Sequence, residues 1–246
     1  MNRLDTELRR LFLPAGSGVA ACAGPAHLEG TDGRTKVLVL ELARPADWSQ
    51  LSRVWKGVQA DLEMPAPAIA VDGKGAYQLW FSLAEPIPTP EAATFAEALR
   101  TRYLADLAPG RTRVQPSQHA RGSARVPHAG ALPPAQVAPE QWSAFVTPDL
   151  APLFSAEPWL DHPPGTDAQA DLLSRLVSTP METFIRASAG LQHEEAAPPK
   201  ADVLPQRAGT AAAGDELDPR SFLLQVMRDP SVDLRLRIEA AKALLP

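Results

Sequence analysis

The segment TKVLVLEL, residues 35–42, constrains this chain more than any other. Val37, Leu38, Val39, Leu40 and Leu42 form a nearly unbroken apolar run of strand length. Side chains alternate between the two faces of a strand, so a run without polar alternation places apolar groups on both. Such a strand belongs in a sheet covered on both sides.

The flanking segments can supply the covers. LDTELRRLF places Leu4, Leu8, Leu11 and Phe12 at helical spacing. ADWSQLSRVWKGVQADL sets Trp48, Leu51, Val54, Trp55 and Val58 three and four residues apart, with Asp47 placed to cap the helix. APAIAVDGKGAYQLWFSL is a short strand, a glycine-rich turn and a second strand, the pattern of a β-hairpin. TPEAATFAEALRTRYLADL predicts another helix, with Thr89 as cap, Pro90 in the first turn and a stripe of Phe95, Leu99, Tyr103 and Leu107. The order helix, strand, helix, hairpin, helix predicts an α+β fold over residues 1–150, an antiparallel sheet packed with helices.

Composition limits how far that core extends. Hydrophobic residues make up 45% of the 246, but alanines inflate the figure and 26 prolines interrupt regular elements. Residues 151–191 read as a proline-punctuated extension in which Leu172, Leu173, Leu176 and Phe184 support short helices. Residues 192–217 carry too few large apolar groups to offset the entropy of ordering and read as a flexible linker. Residues 218–246 read as a C-terminal α-hairpin: Asp218 and Pro219 open a first helix, and a second presents Leu236, Ile238, Ala241, Leu244 and Leu245. Two such helices bury little surface alone, so docking onto the body or a protein partner is expected.

One cysteine, Cys22, precludes an internal disulfide. The opening MNRLDTELRRLFLP lacks the apolar run of a signal peptide, and no window approaches the roughly 18 apolar residues of a membrane span. The expected setting is cytoplasmic, with no membrane partner. The formal net charge of −5 argues against a nucleic-acid binder overall. A local patch is nevertheless present, since six arginines and a single acid, Asp106, fall between Arg100 and His128. Guanidinium groups make planar, bidentate contacts to phosphate, so RTRVQPSQHARGSARVPHAG is a candidate nucleic-acid or nucleotide track; solvated charge on a loop is the competing account.

Within the hairpin, Gly73 and Gly75 can take positive φ, their N–H groups can approach a phosphate, and Lys74 adds charge. DGKG is equally what an ordinary hairpin turn requires. Alternation sends Tyr77, Leu79 and Phe81 to one face and Gln78 and Trp80 to the other, where an amide and an indole could bond and stack against a nucleotide. Paired cysteines, HExxH and GxSxG are all absent, and Glu41 is the only acid at the end of VLVLEL.

Taken in order, these features resemble the archaeo-eukaryotic primase superfamily, and more closely its plasmid-replication branch, the RepB-like DNA primase domains. The resemblance covers roughly Val37 to Gly130 and rests on VLVLEL, SQLSRVWKGVQADL, VDGKGAYQLWFSL and RTRVQPSQHARGSARVPHAG. It implies a primase-like (RRM-like) sheet, with Gln78 in the place of a nucleotide-contacting histidine and Arg121 and Arg125 near substrate or template. Where the family carries two aspartates this chain has Leu40 and Glu41, and near the third acidic position it has Gln115 or Ser117. Glu41 is then a residual catalytic and metal ligand for Mg or Mn, and primer synthesis is expected to be weak or lost.

The expectation is a protein that binds DNA, single-stranded in preference, or a nucleotide in plasmid, phage or prophage replication. Tyr77, Gln78 and Trp80 would face the nucleotide. Lys74, Arg113, Arg121 and Arg125 would contact phosphates, supplemented by His119 or His128. Two alternatives stand beside it: an active metal-dependent primase that recruits Asp47 or Asp72, and a non-catalytic adaptor that captures a protein partner through 218–246.

Overall fold

The computed structural model describes residues 2–14, 25–26, 28–43, 45–117 and 129–196. The first helix, α1 (Arg3–Leu11), is closed at its start by a capping box: the Asn2 side chain accepts from the Asp5 N–H at 2.7 Å and the Asp5 carboxylate accepts from the Asn2 N–H. Its Leu4, Leu8 and Leu11 are buried. After the short β1 (Pro25–Ala26) comes the apolar strand β2 (Arg34–Ala43), then α2 (Trp48–Ala60), capped as expected by Asp47, which accepts from Ser49 N–H at 2.9 Å.

The predicted hairpin is β3 (Ala68–Val71) and β4 (Ala76–Pro88), and α3 (Thr89–Leu104) follows. Thr89 does not cap α3. Its hydroxyl donates instead to Gly33 O at 2.9 Å and to the Glu29 carboxylate at 3.1 Å, tying the helix start to the entrance of β2. The arginine-rich segment, read as one long loop, contains a strand, β5 (Thr112–Gln115). Val114, its only large apolar residue, is buried and anchors the strand.

Strands β2, β4, β3 and β5 form the order β5-β2-β4-β3 with every pairing antiparallel. Together with α2 and α3 this is a split βαβ arrangement, β-α-β-β-α-β. After β6 (Ala129–Ala131), which pairs with β1, strands β7 (Ala135–Ala138) and β8 (Gln141–Val146) extend the sheet to six strands, β8 lying beside β3. The α+β class predicted from the sequence is observed.

Both faces of β2 are buried. Leu38, Leu40 and Leu42 join Ile69, Val71, Tyr77, Leu79 and Phe81 under α2 and α3. Val37 and Val39 join Ala68, Ala70, Trp80 and Phe145 under α1.

Residues 151–191 complete both covers. Helix α4 (Thr166–Ser174) buries Ala170 and Leu173 on the α1 side, and α5 (Met181–Ala196) buries Phe184, Ala187 and Leu191 on the α2–α3 side. Between them the chain crosses the free edge of β4: Thr179 donates to Ser82 O at 2.8 Å and accepts from Ala84 N–H at 2.9 Å. Residues 1–198 form one compact unit. The linker beyond Ala196 and the C-terminal hairpin lie outside the described residues. No helix among the described residues is long and apolar enough to cross a membrane.

Candidate functional site on the sheet face

Strand register brings the site together. Glu41 on β2 lies directly opposite Gln78 on β4 and, on its other side, opposite Arg113 on β5. The three side chains form one row on the face turned away from α2 and α3. A chain of polar contacts runs along it. The Trp80 indole N–H donates to Gln78 Oε1 at 3.0 Å, Gln78 Nε2 donates to Glu41 Oε2 at 2.9 Å, and Arg113 Nη1 lies 3.4 Å from Glu41 Oε1. An indole N–H can only donate, so it fixes which end of the amide faces the carboxylate.

The row runs from core to solvent. Trp80 is 1% exposed and Gln78 4%, whereas the Arg113 side chain is 70% exposed. The face expected to be accessible at Gln78 and Trp80 is therefore closed. Trp80 packs edge-on to Phe12 and Phe145, with centroids 5.3 and 6.0 Å away, because α1 delivers Phe12 onto this part of the sheet. No ring face of Trp80 is left for a base. Tyr77 lies in the opposite core, fully buried, with its hydroxyl donating to the Ala151 carbonyl and its ring 5.9 Å from Trp48.

Burial raises the Glu41 pKa above its ordinary value; the Gln78 hydrogen bond and Arg113 pull it back, and the nearby Asp72 carboxylate adds to the rise. Asp72 is itself the centre of the glycine-rich turn. Its Oδ1 accepts from the N–H groups of Lys74, Gly75 and Ala76 at 2.8, 2.9 and 2.8 Å, and Gly73 N–H donates to Pro158 O at 3.1 Å. The backbone donors that a phosphate would use are thus taken by an internal carboxylate. The signal was legible as an aspartate opening a Gly-x-Gly turn, the setting of an Asx turn. Lys74 itself is exposed.

Gly73 is required by packing as well as by φ, which is +80°. A Cβ there would meet Val137 Cγ2 at 2.4 Å and the Ser143 backbone nitrogen at 2.9 Å.

The arginines between 100 and 113 do not make one patch. Arg100 pairs with Glu97 and Arg102 with Asp61, while Arg111 donates to the carbonyls of Ala43 and Pro45. Arg113 alone of these four joins the row on the sheet face. Gln115, two residues on, lies opposite Val39, and its Oε1 is buried without a hydrogen-bond partner among the described residues. Asp47 is occupied as the α2 cap, where the Ser49 hydrogen bonds lower its pKa. His119, Arg121, Arg125 and His128 lie outside the described residues.

The donors do not fit a pair of divalent ions. Both Glu41 oxygens have partners, Asp72 Oδ1 holds three N–H groups, and no three His, Cys, Asp or Glu side chains gather into a metal site among the described residues. No protein-family model matches the chain, and no curated protein matches it.

Proposed function

We propose that this chain is a primase-fold protein of the RepB-like kind that binds single-stranded DNA or a nucleotide at the Arg113–Glu41–Gln78 row, with primer synthesis weak or lost. The setting proposed is plasmid, phage or prophage replication. One observation carries the reading. Gln78, which the resemblance puts in the place of a nucleotide-contacting histidine, and Glu41, the one acid present where the family carries two aspartates, are direct cross-strand neighbours on the split βαβ sheet, with an exposed arginine beside them.

The geometry redistributes the roles. Trp80 supports Gln78 from the core, Gln78 positions Glu41, and contact to phosphate falls to Arg113 and Lys74; the resemblance, not the geometry, adds Arg121 and Arg125, supplemented by His119 or His128. Mg and Mn have no part in this reading, since the donors of the row do not fit a two-metal site.

Fluorescence anisotropy of a labelled single-stranded oligonucleotide tests the reading. The full chain is expected to bind at low salt, and Arg113→Ala to weaken binding and lower the salt slope by about one phosphate contact. Absence of binding at low salt would overturn it. A primer-synthesis assay with magnesium and manganese is expected to show no product above background. Synthesis that disappears in Glu41→Ala would restore the enzymatic alternative.

A further inference from the structure

We propose that Glu41 is a built-in counter-ion that restrains Arg113, so that a phosphodiester must displace the carboxylate before it gains the guanidinium. This rests on the DNA-binding reading above and specifies how the same site is regulated.

The two partners differ in freedom. Arg113 is 70% exposed and touches the carboxylate at 3.4 Å, a contact easily exchanged for another anion. Glu41, only 12% exposed, cannot follow it. Its Oε2 is held by Gln78, whose amide is held in turn by Trp80, packed edge-on against the stacked rings of Phe12 and Phe145. The arginine can swing toward a ligand while the carboxylate stays behind.

Charge sets the direction of the effect. A phosphate approaching the row meets two fixed carboxylates, Glu41 and Asp72, and the latter is pinned by three backbone N–H groups. Both repel it, and only Arg113 attracts it from within the row. Removing the Glu41 charge leaves Arg113 free and removes one repulsion. A carboxylate that recruits the ligand, directly or through a cation, has the opposite signature: its loss weakens binding.

The test uses the full chain and a labelled single-stranded oligonucleotide at low salt, comparing wild type, Glu41→Gln, Arg113→Ala and the double variant. Glu41→Gln is expected to bind about two- to fivefold more tightly, the scale of one exposed ion pair. The gain is expected to vanish in the Arg113→Ala background. Glu41→Met, which also removes the charge, provides the same comparison if Glu41→Gln does not fold, with circular dichroism as the check. Unchanged or weaker binding by Glu41→Gln overturns the counter-ion role alone, as does a gain that persists without Arg113. Failure of every variant to bind overturns the DNA reading, and the counter-ion role with it.

Discussion

Gln78 shows how much one buried polar side chain can organise. Its amide oxygen satisfies the Trp80 indole and its nitrogen satisfies Glu41, so both neighbours can be buried without an orphaned polar group. Replacing it with leucine leaves an indole N–H and one carboxylate oxygen, Glu41 Oε2, unsatisfied together. Gln78→Leu is expected to cost about 2–4 kcal/mol in chemical denaturation. A loss below about 1 kcal/mol would mean that water replaces the amide. Glu41 adds a pH dependence. Its folded-state pKa is raised above the ordinary 4.5, so its contribution is most favourable below that pH and is lost as pH rises through the raised value. The melting temperature of Glu41→Gln should therefore gain on wild type between about pH 4.5 and pH 7. A gap that stays constant across that range contradicts the burial assigned to this carboxylate.

Among the elements, the hairpin and β8 show where packing is strictest. Gly73→Ala places a methyl against the Ser143 backbone in a left-handed conformation, and a cost of about 2–4 kcal/mol is expected in thermal or denaturant unfolding. Strand β7 stops short of Phe145, and Gln169 of α4 takes its place. Its side chain accepts from Phe145 N–H at 2.8 Å and donates to Phe145 O at 2.9 Å, pairing with the strand as a neighbouring backbone would. Gln169→Ala is expected to destabilise the protein by about 1–3 kcal/mol per group left unpaired, and to raise amide exchange at Phe145 first. The helices were legible because their apolar spacing is a local property, as is the Asp47 cap of α2; the Thr89 hydroxyl was misassigned because its partners, Glu29 and Gly33, are distant in sequence. β5 was not legible, because a four-residue edge strand with a single buried valine carries almost no periodic signal, and only pairing with Val39–Leu42 makes it a strand.

For the molecule as a whole, the decisive feature is that one segment covers both faces of the sheet. Phe184 packs against Phe95, rings tilted and centroids 4.8 Å apart, on one side, and Leu173 closes the cluster around Trp80 on the other. A chain ending at 150 loses part of both covers, α4 on one face and α5 on the other, and is expected to lack a cooperative unfolding transition. A chain ending at 198 retains them and is expected to unfold cooperatively by circular dichroism. Cooperative melting of the shorter chain would show that α4 and α5 are dispensable. The longer of the two is the one suited to binding assays on the body alone.

The sequence by itself determined the α+β class, the doubly buried strand, the hairpin and the placement of Gln78 and Trp80 on one face with Tyr77 on the other. These follow from periodicity and turn chemistry, which act over a few residues. Tertiary structure decided which face was open. Alternation puts an amide and an indole together, but whether they meet solvent or a core depends on Phe12 and Leu173, which arrive from distant segments. It also decided that the glycine-rich turn holds Asp72, and that Glu41, Gln78 and Arg113 are neighbours. Strand order and register create that row, and no local pattern in the chain encodes either.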